Sequence, residues 1–353
     1  MKQALRIWLR VCLFFGIYVK STQDDADNNN TPERKRKYFR AAPNRKHSNC
    51  LVARCRCIFR PQHLYIFLLT LMLCTLYAHG IHWRRSVPTL QLTCIVSVIL
   101  FTFQLGTNLL IIMEAVCRHS QHTAFLQLLE QIEVCFKLCL RQDVQKSALL
   151  TDVYFLTGSL VAFSLITFAL FMVTSFWINY IGFFWHGLWS ILTLRVRLIQ
   201  LLIYVRILQH YLQCLCAKLE QIVAYHLAAQ RKILNISYER LASLEYLLAI
   251  GEVHDGIYKA FALLNYFAGW SLFGIVICYI FDMTCNIYWM LLSLDGFPNR
   301  QNYYIAGPLT FVPLVVIIGY LCYLCEKCKE LVCAVKLCYE ILKKMLHNFR
   351  VAT

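Results

Sequence analysis

The chain has few charged residues for its length. Only 15% of its 353 residues are Asp, Glu, Lys or Arg, whereas 59% are hydrophobic. The mean hydropathy of +0.53 is too high for a soluble globular domain, because the surface of such a domain needs more polar side chains. The scarcity of charge therefore excludes an ordinary soluble protein and favours an integral membrane protein.

Acidic residues are scarcer than basic ones. The chain has 19 Asp and Glu against 35 Lys and Arg, which gives a formal net charge of +16. The basic residues lie beside apolar stretches and are not interleaved with aromatic residues in one basic domain, as a nucleic-acid reader would require. We therefore predict no nucleic-acid partner, and we expect the basic segments to contact anionic membrane lipids.

Motifs of the common enzyme classes are missing. The sequence has no nucleophile elbow, phosphate-binding loop or zinc-protease motif. Among its 18 Cys, Cys322, Cys325 and Cys328 have helical spacing rather than the two separated ligand pairs of a zinc site. We expect these cysteines to lie at the cytoplasmic end of an apolar stretch, where the reducing environment disfavours disulfides. Packing as small apolar residues and juxtamembrane palmitoylation both stay open. We predict no enzyme activity, no cofactor and no metal site.

Six long apolar stretches dominate what is present. Each is long enough to cross a hydrocarbon core of about 30 Å as an α-helix. The pattern predicts an all-α, polytopic helical membrane protein with six spans. The predicted spans cover residues 63–83, 90–113, 153–176, 178–204, 261–292 and 303–325.

Lys and Arg are concentrated on one side of these spans. Ten basic residues precede the first span between Arg34 and Arg60, and further ones follow the second, fourth and sixth spans. The segments on the other side contain only Arg84, Arg85 and Arg300. By the positive-inside rule, we predict a multi-pass plasma-membrane protein whose N-terminus and C-terminal tail are cytoplasmic.

The remaining segments complete a domain plan. Residues 1–20 have a basic start and an apolar centre, which predicts an interfacial amphipathic helix; a signal peptide is the alternative, although no cleavage site follows. Residues 21–60 are predicted to be a disordered basic cytoplasmic segment. The transmembrane domain covers 61–325, with cytoplasmic helical extensions at 195–260, and a cytoplasmic helical tail covers 326–353. Apolar stripes on the extensions indicate either packing within the chain or an oligomer interface.

Polar and aromatic side chains recur on one face of the outer half of the fifth span. An acid within a membrane costs about 2.5 kcal/mol or more, so Asp282 needs a partner, and His186 lies at comparable depth in the fourth span. These residues predict a ligand-binding site; a structural role for Asp282 and an interfacial role for the Trp residues stay open. The predicted ligand-binding residues are Trp185, His186, Trp189, Tyr279, Asp282, Asn286 and Trp289.

Two sequences resemble those of insect gustatory receptors. They are Leu-Asn-Tyr-Phe-Ala-Gly-Trp-Ser-Leu-Phe at 264–273 and Cys-Ala-Val-Lys-Leu-Cys-Tyr-Glu-Ile-Leu at 333–342. Together with the interior N-terminus and the long cytoplasmic helices, the resemblance runs from about residue 5 to residue 346. It implies a ligand-gated, non-selective cation channel that detects small-molecule tastants and forms a homo- or hetero-tetramer with related receptor subunits.

The family's Thr-Tyr-x5-Gln-Phe motif and its seventh span are not found in the sequence. We therefore expect either a gene model that is incomplete at the C-terminus or a non-conducting truncated isoform. A secondary transporter is the alternative function. Transporters of this kind have paired broken helices, whereas only the sixth span is interrupted here, by Gly307, Pro308 and Pro313.

Overall fold

The regular structure is helical throughout the part of the chain that can be described. The computed structural model describes residues 5–19, 61–86, 91–140, 146–177, 182–230, 244–296 and 303–352, and these ranges contain eight helices and no strand. The predicted all-α class is therefore confirmed. The helices are α1 (Arg6–Phe14), α2 (Pro61–Ser86), α3 (Gln91–Cys117), α4 (His119–Leu138), α5 (Lys146–Trp177), α6 (Phe184–Gln230), α7 (Leu244–Leu294) and α8 (Tyr303–Ala352).

Five of these helices are long and apolar enough to cross a membrane. They are α2, α3, α5, α7 and α8. In a hydrocarbon layer a helix satisfies all of its own backbone hydrogen bonds, and for this reason such apolar runs fold as helices there. The polytopic membrane class is confirmed. The spanning candidates are Pro61–Trp83, Cys94–Cys117, Leu149–Leu170, Tyr246–Leu294 and Gly307–Ile341.

The fourth predicted span differs from the other five. Its helix, α6, is not among the five apolar helices, and its apolar sequence contains Arg195 and Arg197. Both arginine residues are only 2% exposed, and α6 packs against α1, α2, α3, α5, α7 and α8. The helix is therefore the centre of the bundle, where protein rather than lipid surrounds it. Residues 178–181 of this predicted span lie outside the described residues.

Three helices are much longer than a membrane is thick. Helices α6, α7 and α8 have 47, 51 and 50 residues. At about 1.5 Å per residue they are roughly 70–77 Å long, more than twice the thickness of a hydrocarbon core. The apolar stripe predicted for α6 is buried inside the chain, in one core cluster with residues of α8, and this arrangement supports packing within the chain. The buried stripe consists of Leu198, Leu201, Leu202, Val205, Leu208, Leu212 and Leu215.

The N-terminal segment 5–19 is tucked into the bundle. Leu9 and Cys12 of α1 belong to the main core, and after α1 the chain turns at Gly16, whose φ is +70°. The positive φ favours glycine at this turn, and a Cβ at Gly16 would lie 2.8 Å from Cδ2 of Leu69 on α2, so the Leu69 side chain would have to shift. The helix predicted at the N-terminus is present, and protein covers its Leu9–Cys12 side. Its location at a membrane interface stays a prediction.

A close approach at Gly80 connects α2 with the segment that leads into α6. A Cβ at this position would lie 2.3 Å from Cδ1 of Phe183, a ring that itself stacks on Phe101 at 4.4 Å. The ring is therefore held from two sides. A side chain at Gly80 would have to displace it.

We predict that Gly80→Ala lowers the thermal unfolding temperature of the detergent-solubilised protein, because overpacking of this kind costs about 1–3 kcal/mol. Gly106→Ala on α3 is the matched control, since a Cβ there meets no atom within 4 Å. The control should be neutral or stabilising, because Gly in a helix costs about 1 kcal/mol relative to Ala. Fluorescence-detected thermal shift measures both. Equal unfolding temperatures for the two variants would contradict the close approach.

Candidate functional site

Four polar side chains are buried where α3 packs against the beginning of α6. Gln104 and Asn108 are four residues apart on α3, and His186 and Ser190 are four residues apart on α6, so each pair shares one helix face. All four are at most 3% exposed. The Asn108 amide donates to Ser190 Oγ at 2.8 Å and to the Gln104 carbonyl oxygen at 2.8 Å. These four residues form what we call the α3–α6 polar cluster.

Several polar atoms of this cluster have no hydrogen-bond partner among the described residues. They are Gln104 Oε1, Asn108 Oδ1 and both ring nitrogens of His186. A buried polar atom without a partner costs about 1–3 kcal/mol, so such atoms collect at sites where another molecule completes the hydrogen bonds. The amide oxygens accept hydrogen bonds, and a neutral imidazole both donates and accepts. The cluster therefore has the donors and acceptors to bind a small polar molecule.

Aromatic rings surround the imidazole of His186. The Tyr77 ring of α2 lies 5.6 Å from the His186 ring, and the Phe101 ring of α3 lies 6.0 Å from it. Tyr77 is itself held by a 2.5 Å hydrogen bond between its hydroxyl and that of Thr102. Apolar and aromatic walls with a few convergent polar groups are typical of small-molecule sites.

His186, the predicted partner of Asp282, does not hydrogen-bond to it. His186 faces α2 and α3, and neither of its ring nitrogens has a hydrogen-bond partner in the described part of the chain. Asp282 is buried on α7, where Asn286 hydrogen-bonds to it and Arg195 of α6 is its charged neighbour. Along α6, Arg195 lies more than two helical turns after His186. Arg195, and not His186, is therefore the α6 residue beside Asp282.

The other predicted ligand-binding residues lie at several separate places in the bundle. Trp185 is 55% exposed, and Trp189 packs on the Phe15 ring of the N-terminal segment at 5.2 Å. Tyr279 is half-buried against the main core. Trp289 is buried with Leu100 and Cys285 in a separate small cluster. The structure therefore brings His186 to the α3–α6 polar cluster, whereas Trp289 of α7 packs against Leu100, one helical turn before Gln104 on α3.

A buried ion pair was missed by the sequence analysis. Arg197 Nη2 lies 3.2 Å from Glu114 Oε2, and both side chains are 2% exposed. Arg197 also donates to Ser271 Oγ at 2.9 Å and to the Phe267 carbonyl oxygen at 3.2 Å. The Ser271 backbone N–H donates to Glu114 Oε2 at 3.2 Å, and Arg118 pairs with Glu114 Oε1 at 3.1 Å. Charged residues at the ends of apolar runs were the signal that could have found it.

A neutral histidine extends this network to α4. His122 Nε2 and the Tyr204 hydroxyl are 2.7 Å apart, and the imidazole stacks on the Phe267 ring at 4.6 Å. The Tyr18 ring of the N-terminal segment meets it edge-on at 5.2 Å. Burial, together with the positive charge of Arg197, lowers the pKa of His122 to about 3. His122 is therefore uncharged at physiological pH.

Metal binding finds no support among the residues that the structure describes. Those residues contain no group of three or more His, Cys, Asp or Glu side chains placed to hold a metal ion. Cys322 and Cys325 are exposed thiols on α8, whereas Cys328 is buried. The second cysteine group of the sequence, at residues 50, 55 and 57, lies outside the described ranges.

Two comparisons with known proteins point to the same kind of protein. Residues 5–352 match the family described as 7tm Chemosensory receptor. Over 148 residues, 42% of this chain, the sequence is 32% identical to a putative gustatory receptor 39b of Drosophila melanogaster. The aligned part covers 40% of that relative's length.

We predict that Arg197→Met destabilises the protein by about 3–5 kcal/mol, because it leaves the buried Glu114 carboxylate without its principal partner. Lys259→Met on α7 is the matched control. It removes the pair with Asp255, in which both side chains are about two-thirds exposed, and pairs of this kind contribute about 1 kcal/mol or less. Thermal unfolding in detergent and cell-surface delivery are the measurements. A similar decrease in unfolding temperature for both variants would show that the buried Arg197 pair contributes no more to stability than the exposed Lys259 pair does.

We also predict that His122 makes the protein less stable as the pH falls. In the unfolded chain its pKa is about 6.5, so between pH 6.5 and 3 the unfolded state binds more protons than the folded state. The contribution of neutral His122 to the free energy of unfolding is complete above pH 6.5, and it decreases as the pH falls below 6.5. His122→Gln should therefore flatten the fall in unfolding temperature between pH 7.5 and pH 5. His82→Gln, which removes an exposed imidazole, is the control, and an equal slope in both variants would contradict the prediction.

Proposed function

The chain belongs to the 7tm chemosensory receptor family, and on this premise we propose that it is a gustatory receptor subunit that binds a small tastant at the α3–α6 polar cluster. The observation that carries this proposal is the set of buried polar atoms without partners on Gln104, Asn108 and His186. Receptor function is consistent with the absence of catalytic motifs from the sequence.

We propose that the ligand is an uncharged molecule with hydroxyl or amide groups. The polar cluster consists of amides, a hydroxyl and an imidazole, none of which is a permanently charged group. The acid that could have attracted a cation, Asp282, already has Arg195 as its charged neighbour. A sugar-like compound fits this chemistry better than an alkaloid cation or a hydrocarbon derivative does, because each hydrogen bond to a buried polar group contributes to specificity.

We propose that the receptor is a ligand-gated, non-selective cation channel in a homo- or hetero-tetramer of related subunits. The support is the family resemblance, together with helices that continue well beyond the thickness of a membrane. The distal part of α8 carries exposed apolar side chains, including Leu337 at 63% and Tyr339 at 57%, which suit a subunit contact. The asymmetry of Lys and Arg supports a plasma-membrane protein with a cytoplasmic N-terminus.

The transporter alternative receives less support. A secondary transporter binds its substrate at broken helices near the membrane centre. Helix α8 runs continuously from Tyr303 to Ala352 through Pro308 and Pro313, so the sixth predicted span is not divided into two half-helices.

The ligand proposal is tested with variants that remove single polar groups. We expect Gln104→Leu and His186→Phe to raise the half-maximal concentration of an active sugar or polyol by roughly 3- to 10-fold each, because each removes at least one hydrogen bond to the ligand. Calcium imaging in cells that co-express related receptor subunits gives the measurement, with surface biotinylation to correct for delivery. Thr157→Val on α5 is the matched control, since it removes another buried oxygen without a partner, away from the cluster.

Two further variants discriminate between the two buried faces. Asp282→Asn and Trp289→Ala alter the α7 face that the sequence analysis favoured. We expect these changes to reduce surface delivery, because they disturb the Arg195 contact and the core, and to leave the half-maximal concentration unchanged. If Asp282→Asn raises that concentration while His186→Phe does not, the ligand lies on the α7 face and the α3–α6 assignment is wrong.

A further inference from the structure

Two cysteines of α8 are exposed where the helix changes from apolar to charged. Cys322 and Cys325 both have exposed side chains. The next residue is Glu326, which pairs with Lys329 at 3.4 Å, and the adjacent Lys327 pairs with Glu330 at 2.7 Å. No acidic or basic residue occurs between Tyr303 and Cys325. The two thiols therefore lie at the end of the apolar part of this helix.

The apolar part of α8, counted from Tyr303, is as long as one membrane crossing, which puts its end at a membrane surface if the crossing begins there. Cys322 and Cys325 come 19 and 22 residues after Tyr303, the first residue of the helix. At about 1.5 Å per residue these separations are roughly 29 and 33 Å, which matches the thickness of a hydrocarbon core of about 30 Å. The rings of Tyr320 and Tyr323 lie 6.1 Å apart at the same level, and tyrosine residues are enriched at membrane interfaces.

Each of three other cysteines differs from this pair in one respect. Cys328 is at nearly the same level of α8, but it is 5% exposed and belongs to the main core. Cys74 of α2 is exposed but lies 13 residues, roughly 20 Å, from the start of its helix, and so within the hydrocarbon layer. Cys117, at the end of α3, is a single exposed thiol. Exposure and a boundary position occur together as a pair at Cys322 and Cys325.

We propose that Cys322 and Cys325 are S-acylation sites. Each thiol attacks the thioester carbonyl of a long-chain acyl-coenzyme A in a reaction that a membrane acyltransferase catalyses. A new bond forms between Sγ and the acyl carbon, the bond between that carbon and the coenzyme A sulfur breaks, and coenzyme A leaves as the thiol with the cysteine's proton. The attached chains enter the adjacent leaflet and fix the depth of α8 at its boundary.

The inference rests on the proposed orientation, in which the charged part of α8 is cytoplasmic, because acyl-coenzyme A is a cytoplasmic substrate. The experiment uses the full chain expressed in insect cells. Free thiols are blocked, thioesters are cleaved with hydroxylamine, and the released thiols are labelled with a mass-tagged maleimide. We expect C322S and C325S each to lose one mass step relative to the unsubstituted chain, and the double variant to lose two.

Two matched controls and one orientation check complete the experiment. C328S and C74S should keep the number of mass steps of the unsubstituted chain, since one thiol is buried and the other lies within the hydrocarbon layer. An epitope inserted after Gly296 and detected on intact cells shows in the same samples that the orientation is as proposed. If the epitope is accessible and the double variant keeps every mass step, the inference is overturned although the orientation holds. If the epitope is reached only after permeabilisation, the orientation fails and the inference fails with it.

Discussion

The guanidinium of Arg197 holds together three of the helices that form the bundle. It is 2% exposed at the centre of the fold, and removal of such a group from water costs several kcal/mol unless charge and hydrogen bonds compensate. Compensation comes from Glu114 on α3 and from Ser271 and the Phe267 carbonyl on α7. These contacts fix the rotation and the depth of three helices relative to one another. Apolar packing alone specifies such a register much less strictly.

Arg195 has a similar effect on the other side of α6. Residues two apart on a helix point in nearly opposite directions, so Arg195 faces away from Arg197. It donates to the Ser164 carbonyl oxygen on α5 at 2.9 Å and has Asp282 of α7 as its charged neighbour. The two arginine residues together orient α6 toward α3, α5 and α7.

Hydropathy predicted the helices well but could not predict which faces meet. Five of the six predicted spans lie in helices that are apolar enough to cross a membrane, because lipid selects residues by transfer free energy alone. Counting residues along the helices placed His186 and Asp282 at a similar depth in the membrane. The count does not show the direction in which either side chain points. The rotation of α6 turns His186 toward Tyr77 and Phe101 instead. Gln104 and Asn108 were missed because neutral amides barely change the mean hydropathy of a span, although buried polar residues in a span are a functional signal.

The N-terminal segment touches both polar regions of the molecule. Phe15 packs on Trp189, three residues after His186, and Tyr18 meets His122 beside the Arg197 network. The Pro-free helices α6 and α7 are stiff rods, whereas α8 has both of its prolines near its first turns. A rod that pivots near its middle moves its two ends in opposite directions. If α6 turned in this way, a small change of spacing beside His186 would displace the distant end of α6, and the prolines of α8 are the places where that neighbouring helix would bend.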